Sequence, residues 1–432
     1  MYRYIKQLYC LIYILGFCLI GQNLGEVTIY NTTNSDLAYN QINCIEFDNE
    51  DRIWIGTQNG LSILNEGLSN WDNIFEASTN SSTPWSSLPS NIITTLNWND
   101  FSNQPMMLIG TNSGITEVWW ENEQFGENGQ SGYWSSNFGD ECDPNNGIIR
   151  SILQNNNEQI WIGSTDGLCV KGLGENEDWV LQNTSTGFYS NNITSISKNL
   201  NNEILAIGTI NGGLITHNNQ FNIYYSSNSD ILDNTVFDAV FDLNNNIIIC
   251  TPQAGLGVLT TNGSWVWFNT INSSLPNNSL KNVVVDNNNN LWITTLENGL
   301  IHYKNNVFYH YTVENSNLPD NKINCLKFGP NNNLWLGTET AGLVKINNPT
   351  TYINQNQKND TNVYPSIFNS FINIELRALS NVSIFNQNGQ IINNYPKING
   401  NNIISMTEYI PGIYFIKIQS PTTNTIKKII KY

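Results

Sequence analysis

The sequence predicts an all-β protein, a seven-bladed β-propeller followed by a small immunoglobulin-like β-sandwich. Three observations carry that prediction. A short apolar strand closed by a Gly turn recurs seven times. The recurrence settles to 43 residues, within the range of about 40–45 that a four-stranded blade occupies. Only 12% of residues are charged, so the polarity comes largely from Asn, Ser and Thr. Asn and Gly suit turns, whereas Ile, Val, Thr and aromatics suit strands, and no sustained helical period with caps follows the N-terminal segment.

The first copy reads Ile53-Trp54-Ile55-Gly56-Thr57, then Gly60-Leu61. Copies follow at Met107 to Thr111 with Gly114, Ile160 to Ser164 with Gly167, and Leu205 to Thr209 with Gly213. A weaker fifth copy is Ile248-Ile249-Cys250-Thr251 with Gly255. The last two are Leu291 to Thr295 with Gly299 and Leu334 to Thr338 with Gly342. Aligned on Trp54, the copies fall at 54, 108, 161, 206, 249, 292 and 335.

The sixth unit displays four strands: Leu280 to Asp286, Leu291 to Thr295, Gly299 to Tyr303 and Val307 to Val313. Asn315-Ser316-Asn317-Leu318-Pro319 then reads as the crossing to the next blade, because Pro cannot continue a central strand. Blades cover one another on both faces, so their middle strands can be apolar throughout. Trp54, Trp161, Trp292 and Trp335 are therefore expected as core between blades, not as a sugar-stacking set. The Gly after each core permits close backbone approach, and the later Gly a positive φ or tight turn. The seventh unit ends near Ile346 without a fourth strand. Val27-Thr28-Ile29-Tyr30, followed by Asn34-Ser35-Asp36-Leu37, reads as that strand and its crossing. Residues 27–30 are predicted to complete the last blade and leave no open sheet edge.

Residues 1–21 read as a signal peptide, with Arg3 and Lys6 before an apolar run from Leu8 to Ile20 and a small Gly21. That run is short for a membrane span and no second candidate follows, so no transmembrane anchoring is expected. Phe17 precedes Cys18 where a lipoprotein signal wants a small residue. Beyond the signal, Cys44, Cys142, Cys169, Cys250 and Cys325 form an odd, irregular set. It reads as small buried hydrophobes, not as a disulfide framework or a zinc site. The net charge of −17 disfavours nucleic acid and anionic membranes. Solubility outside the cell is its plain reading, cation or carbohydrate binding its sharper one.

The string Leu-Trp-Ile-Gly-Thr-x-x-Gly-Leu, with its Asn-Ser-x-Leu-Pro crossing and Asp-Asn-Asn turn, resembles the two-component-regulator propeller repeat over about residues 27–347. The resemblance implies an extracytoplasmic sensor-type propeller. No kinase or DNA-binding region follows the repeats, so direct signalling is not expected. From Asn362 the chain resembles the C-terminal sorting domain of type IX secretion cargo. The matching segments are Val363-Tyr364-Pro365, Ile372-Asn373-Ile374, Val382 to Asn386, Pro411 to Lys417 and Lys427 to Lys431, with Ile367 where a second Pro is usual. This resemblance implies about seven short strands, export across the outer membrane with the type IX machinery as partner, and removal or surface attachment of the tail. Alternating strands and turns at Gly389 and Pro411-Gly412 give the same small sandwich from the residues alone, and the Lys-rich end reads as a solvated edge strand. The domains expected are a signal (1–21), a propeller (22–347), an extended polar linker (348–361) and a sorting sandwich (362–432).

Ligands meet loops held on rigid scaffolds, and here the blade crossings share one face with the turns between second and third strands. Asn59, Asp166, Glu297 and Glu339 fall in those turns and are candidate ligand-binding residues. The first two repeat steps are about ten residues longer than the last three, and the extra length carries Trp85 and an acidic run. Trp85 fits either a sugar-stacking platform or a loop-packing anchor. Asp140, Glu141 and Asp143 fit either a Ca²⁺ site or a solvated loop. No other cofactor is suggested. His217, His302 and His310 pair with no Ser or Cys motif, and no nucleophile elbow or phosphate loop appears. A secreted or surface propeller binding a polysaccharide or protein is the leading expectation. A carbohydrate-active hydrolase or lyase and a structural adhesin are the alternatives.

Overall fold

Each repeat folds as an antiparallel sheet whose spatial order follows the chain. The computed structural model describes residues 24–65, 70–75, 88–99, 105–119, 147–155, 159–171, 179–199, 204–349, 361–364, 367–368, 370–387, 389–419 and 424–432. The signal segment, Trp85 and the acidic run 140–143 lie outside them.

Blade 1 comprises Ile42–Phe47, Ile53–Thr57, Gly60–Asn65 and Asn70–Ile74. Blades 3 to 6 repeat this four-stranded order, and blade 2 shows three strands among the described residues. In blade 6 the strands are Leu280–Val285, Leu291–Thr295, Leu300–Lys304 and Val307–Tyr311, within two residues of the sequence reading. Blade 7 takes Ile323–Phe328, Leu334–Thr338 and Leu343–Ile346 from the end of the repeats and Val27–Tyr30 from their start. Val27 pairs with Ile346 and Tyr30 with Leu343, antiparallel. The expected closure by residues 27–30 is therefore present. The first strands of consecutive blades touch in one closed cycle, from blade 1 round to blade 7 and back.

Between blades lie seven separate apolar cores, one for each seam. Trp54 fills the seam between blades 1 and 2 and Trp161 that between 3 and 4. Trp292 lies between 6 and 7, and Trp335 between 7 and 1. All four are at most 1% exposed, as expected of packing residues. The fifth repeat is corrected by one residue. Its strand is Ile247–Cys250, Cys250 pairs with Asp238 as Gly56 pairs with Cys44, and so Ile248 holds the Trp54 position.

Small and polar residues explain the regularity. A Cβ on Gly56 would lie 2.6 Å from Ile93 Cγ2 of the next blade, and one on Gly110 2.7 Å from Ile149 Cγ2. The turn glycines Gly60, Gly114, Gly167, Gly213, Gly255, Gly299 and Gly342 all have positive φ. Each turn is tied by the hydroxyl four or five positions after the strand begins: Thr57 Oγ1 donates to Gly60 O at 2.7 Å, and the six equivalents do the same. The crossings are built by Asn. Asn272 Oδ1 accepts from Asn269 N and its Nδ2 donates to Trp267 O, while Asn278 Oδ1 accepts from Thr270 N. Asn34 with Asn40, Asn228 with Asn234 and Asn315 with Asn321 make the same bonds. An Asn-rich, charge-poor composition is what such side-chain-tied loops require.

The unit from Tyr352 onward folds separately. Its core gathers Ile372, Ile374, Val382, Ile384, Met406, Ile416 and Ile418. Two strands are long, Phe371–Asn386 and Ile391–Ser405, and register shifts after Leu376 and Ser380 bend them. Segments 372–374 and 382–386 thus belong to one strand, and six strands replace the seven short ones expected among the described residues. The Lys-rich end is also corrected. Asn424–Lys431 lies inside the sheet between Gly412–Gln419 and Ile367–Phe368. Lys427 and Lys428 are exposed, but Lys431 is buried, its Nζ donating to the carbonyls of Met406 and Tyr409 at 2.6 Å.

Cysteine chemistry differs in part from expectation. Cys44, Cys250 and Cys325 are free, and Cys169 is disulfide-bonded, with its partner outside the described residues. No described helix is long and apolar enough to cross a membrane.

Candidate functional site: a polar cavity in the propeller channel

The seven first strands converge on a cavity of about 510 Å³, within the usual range for small-ligand sites. A β-bulge builds its wall. In blade 1 the pairing jumps between Ile42 and Cys44, leaving Asn43 as the extra residue. Blades 2, 3, 4, 6 and 7 have the same irregularity. A bulge redirects a side chain that strict alternation would have placed elsewhere. Asn43, Thr94, Arg150, Thr194, Lys281 and Asn324 hold this position, Phe237 stands just before the unbulged strand Asp238–Phe241 of blade 5, and all seven line the cavity. The next residue of each strand lines it too: Cys44, Thr95, Ser151, Ser195, Asp238, Asn282 and Cys325.

Part of this polarity staples the ring. Ser151 Oγ accepts the Ile196 N–H of the next blade at 2.9 Å, Ser195 Oγ that of Ala239 at 3.1 Å, and Asp238 Oδ2 that of Val283 at 2.9 Å. Asn43 Nδ2 and Thr194 Oγ1 donate forward to Ile93 O and Val236 O at 2.8 and 2.6 Å. These bonds satisfy backbone groups around the bulges, as buried polar groups require.

The charged groups exceed that need. Asp238 stands where blades 3 and 4 manage with Ser. Its carboxyl is pushed up to about 6, chiefly by burial, against the hydrogen bonds of Val283, Ala239, Ser195 and Asn282. Lys281 Nζ donates to Asn324 Oδ1 at 2.8 Å, and Asn324 Nδ2 donates to Glu339 Oε2 at 2.8 Å. Burial lowers the pKa of Lys281, with Cys325 and Glu339 opposing. Burial also lowers that of Arg150, whose Nε has no hydrogen-bond partner. Burial holds the Cys44 and Cys325 thiols protonated, the latter pushed up to about 12.

Of the residues read from the sequence, Glu339 is tied to this wall through Asn324. Asn59, Asp166 and Glu297 are exposed on the loops, Glu297 in an ion pair with Lys322 at 3.1 Å, and none of them lines the cavity. Trp85, Asp140, Glu141 and Asp143 lie outside the described residues, among which no cluster of three or more metal-ligating side chains occurs. The sequence reading passed over Arg150, Asp238 and Lys281. The signal of Arg150 and Lys281 is the residue after the first aliphatic of each blade, which is Asn or Thr in four copies and a cation in two, and Asp238 stands one position later where other blades have Cys, Thr, Ser or Asn.

Comparison with known proteins completes the picture. A family described as two component regulator propeller matches residues 36–59 and 317–340, and one described as secretion system C-terminal sorting domain matches 362–432. The chain thus carries two segments that match a regulator-type propeller repeat and a tail that matches a secretion sorting domain. Such a tail implies handling by the type IX secretion machinery and places this propeller outside the cell or on its outer surface. No curated protein matches the chain. Among solved structures, the extracellular domain of the putative hybrid two component system BT3049 from B. thetaiotaomicron is similar at 18% identity and TM-score 0.62. The match covers 94% of this chain and 57% of that one. PorZ, an essential surface component of the type-IX secretion system of Porphyromonas gingivalis, is 14% identical at TM-score 0.52, with 91% and 60% covered. Virginiamycin B lyase from Staphylococcus aureus is 14% identical at TM-score 0.53, with 74% and 98% covered. The chain thus spans under two thirds of the first two relatives, and at these identities the likeness is one of fold.

Proposed function

We propose that the secreted propeller binds an extracellular ligand, a polysaccharide or a protein presented outside the cell, at the cavity in its channel. The observation that supports this reading most is the bulge ring. Six first strands send a redirected side chain to one space, the seventh adds Asp238 to it, and that space holds charged groups beyond those the ring needs for its staples. Packing alone would favour apolar fill at the centre.

An enzyme reading draws on Asp238, whose elevated pKa suits a proton donor near pH 6. A glycosidase of the usual kind needs two carboxyl groups across the scissile bond. Asp238 is the sole carboxylate on the described cavity wall, so binding is the better-supported role.

Plugging the cavity tests the proposal. Thr94 lines it, and its Oγ1 makes no hydrogen bond. Thr94→Trp should therefore fill space while leaving the staples intact. The full chain is screened on a glycan array and against surface proteins, and hits are titrated with the variant. Loss of binding by tenfold or more is expected. Unchanged affinity in a folded Thr94→Trp protein places the ligand elsewhere.

A further inference from the structure

Resting on that reading, we propose that the cavity takes a polyhydroxylated carboxylate, a sugar acid alone or at the end of a saccharide, with Arg150 holding the carboxylate and Lys281 adding positive charge from across the channel. The protein carries −17, yet two of the three charged residues on the cavity wall are cations. A solvated acidic surface does not call for inward-pointing cations, and desolvating them is costly unless an anion arrives.

The two cations are not equivalent. Lys281 already donates to Asn324, which leads to Glu339. Arg150 has no salt bridge among the described residues, and its Nε is buried without a partner. A guanidinium presents planar, forked donors that match a carboxylate in bidentate fashion. Arg150 stands in blade 3 and Lys281 in blade 6, so they approach the channel from well-separated parts of the ring. Asp238, next to blade 6, leaves the Arg150 side the more anion-attracting one. The rest of the wall suits a hydroxylated body. Thr94, Thr95 and Asn282 offer hydroxyl and amide groups, and Phe237 offers a ring against which a sugar face can lie.

The test is calorimetric titration of the full chain at low salt with galacturonate, tri-galacturonate, neutral galactose and inorganic phosphate. Galacturonate species binding at least tenfold tighter than galactose is expected, with that preference lost in Arg150→Gln and reduced in Lys281→Gln. Monomer and trimer separate a free sugar acid from a saccharide end. Equal binding of galactose and galacturonate leaves a ligand site but overturns the anion assignment. Phosphate binding as tightly as galacturonate overturns the carboxylate. No binding of any probe by a protein that binds another ligand, and loses it in Thr94→Trp, overturns this inference alone. Circular dichroism melting of both variants within a few degrees of the parent excludes misfolding, and Arg150→Lys tests the forked geometry through partial recovery.

Discussion

Gly56 has no room for a methyl group, since the next blade's Ile93 and its own Cys44 already occupy that space. Gly56→Ala should cost about 1–3 kcal/mol by overpacking, read as a lower midpoint in urea with little change in slope. A parent-like midpoint contradicts the seam packing. Two buried titratable groups add pH dependence of opposite sign. Asp238 has its pKa raised from 3.8 to about 6, so the folded state holds that proton more tightly. Its contribution to stability is full below pH 4 and is lost as pH rises through 6. Measured from pH 4 to 7, Asp238→Asn should gain on the parent by up to about 3 kcal/mol as pH rises, then run parallel. His302 is buried, stacked on Trp292 at 3.9 Å between centroids, and its pKa is lowered to about 4 by burial, with Asp286 opposing. Its neutral form is favoured, so stability present above 6.5 is lost as pH falls through 4. His302→Phe should gain on the parent over that fall, and a flat difference would show that the imidazole is solvated.

At the scale of the element, strand Val27–Tyr30 carries the closure. Replacing Thr28 and Ile29 together by Pro removes its backbone donors and leaves Leu343–Ile346 an exposed edge. The expected result is a fall in melting temperature of several degrees and concentration-dependent association by size exclusion. An unchanged monomer with parent-like melting would contradict the pairing. The closing strand was legible because Val27 to Tyr30 lacks a unit of its own and is followed by a crossing motif. Crossings and turns were legible for the same reason: Asn, Gly and Thr act there through local bonds that recur. The bulge was not. Alternation with period two assigns Asn43, Arg150 and Lys281 to ordinary strand positions, and only the register shift turns them into the cavity.

For the whole molecule, seven nearly independent seams replace one central core. That division frees the axis for polar chemistry, which explains why a sequence reading aimed at face loops named Glu339, which touches the wall only through Asn324, and passed over Arg150, Asp238 and Lys281. The one-residue slip in the fifth repeat has a similar cause, since Cys250 replaces the Gly that marks register elsewhere. The cavity exists only if the ring closes, so closure is the claim to test first. Thr28→Cys with Lys345→Cys places two thiols at directly paired positions across the closing seam. Mass spectrometry of the oxidised protein should show the 28–345 bridge within one chain, with a raised melting temperature. Finding bridges only between chains, or none at this pair, would show that the first strand does not seal the last blade.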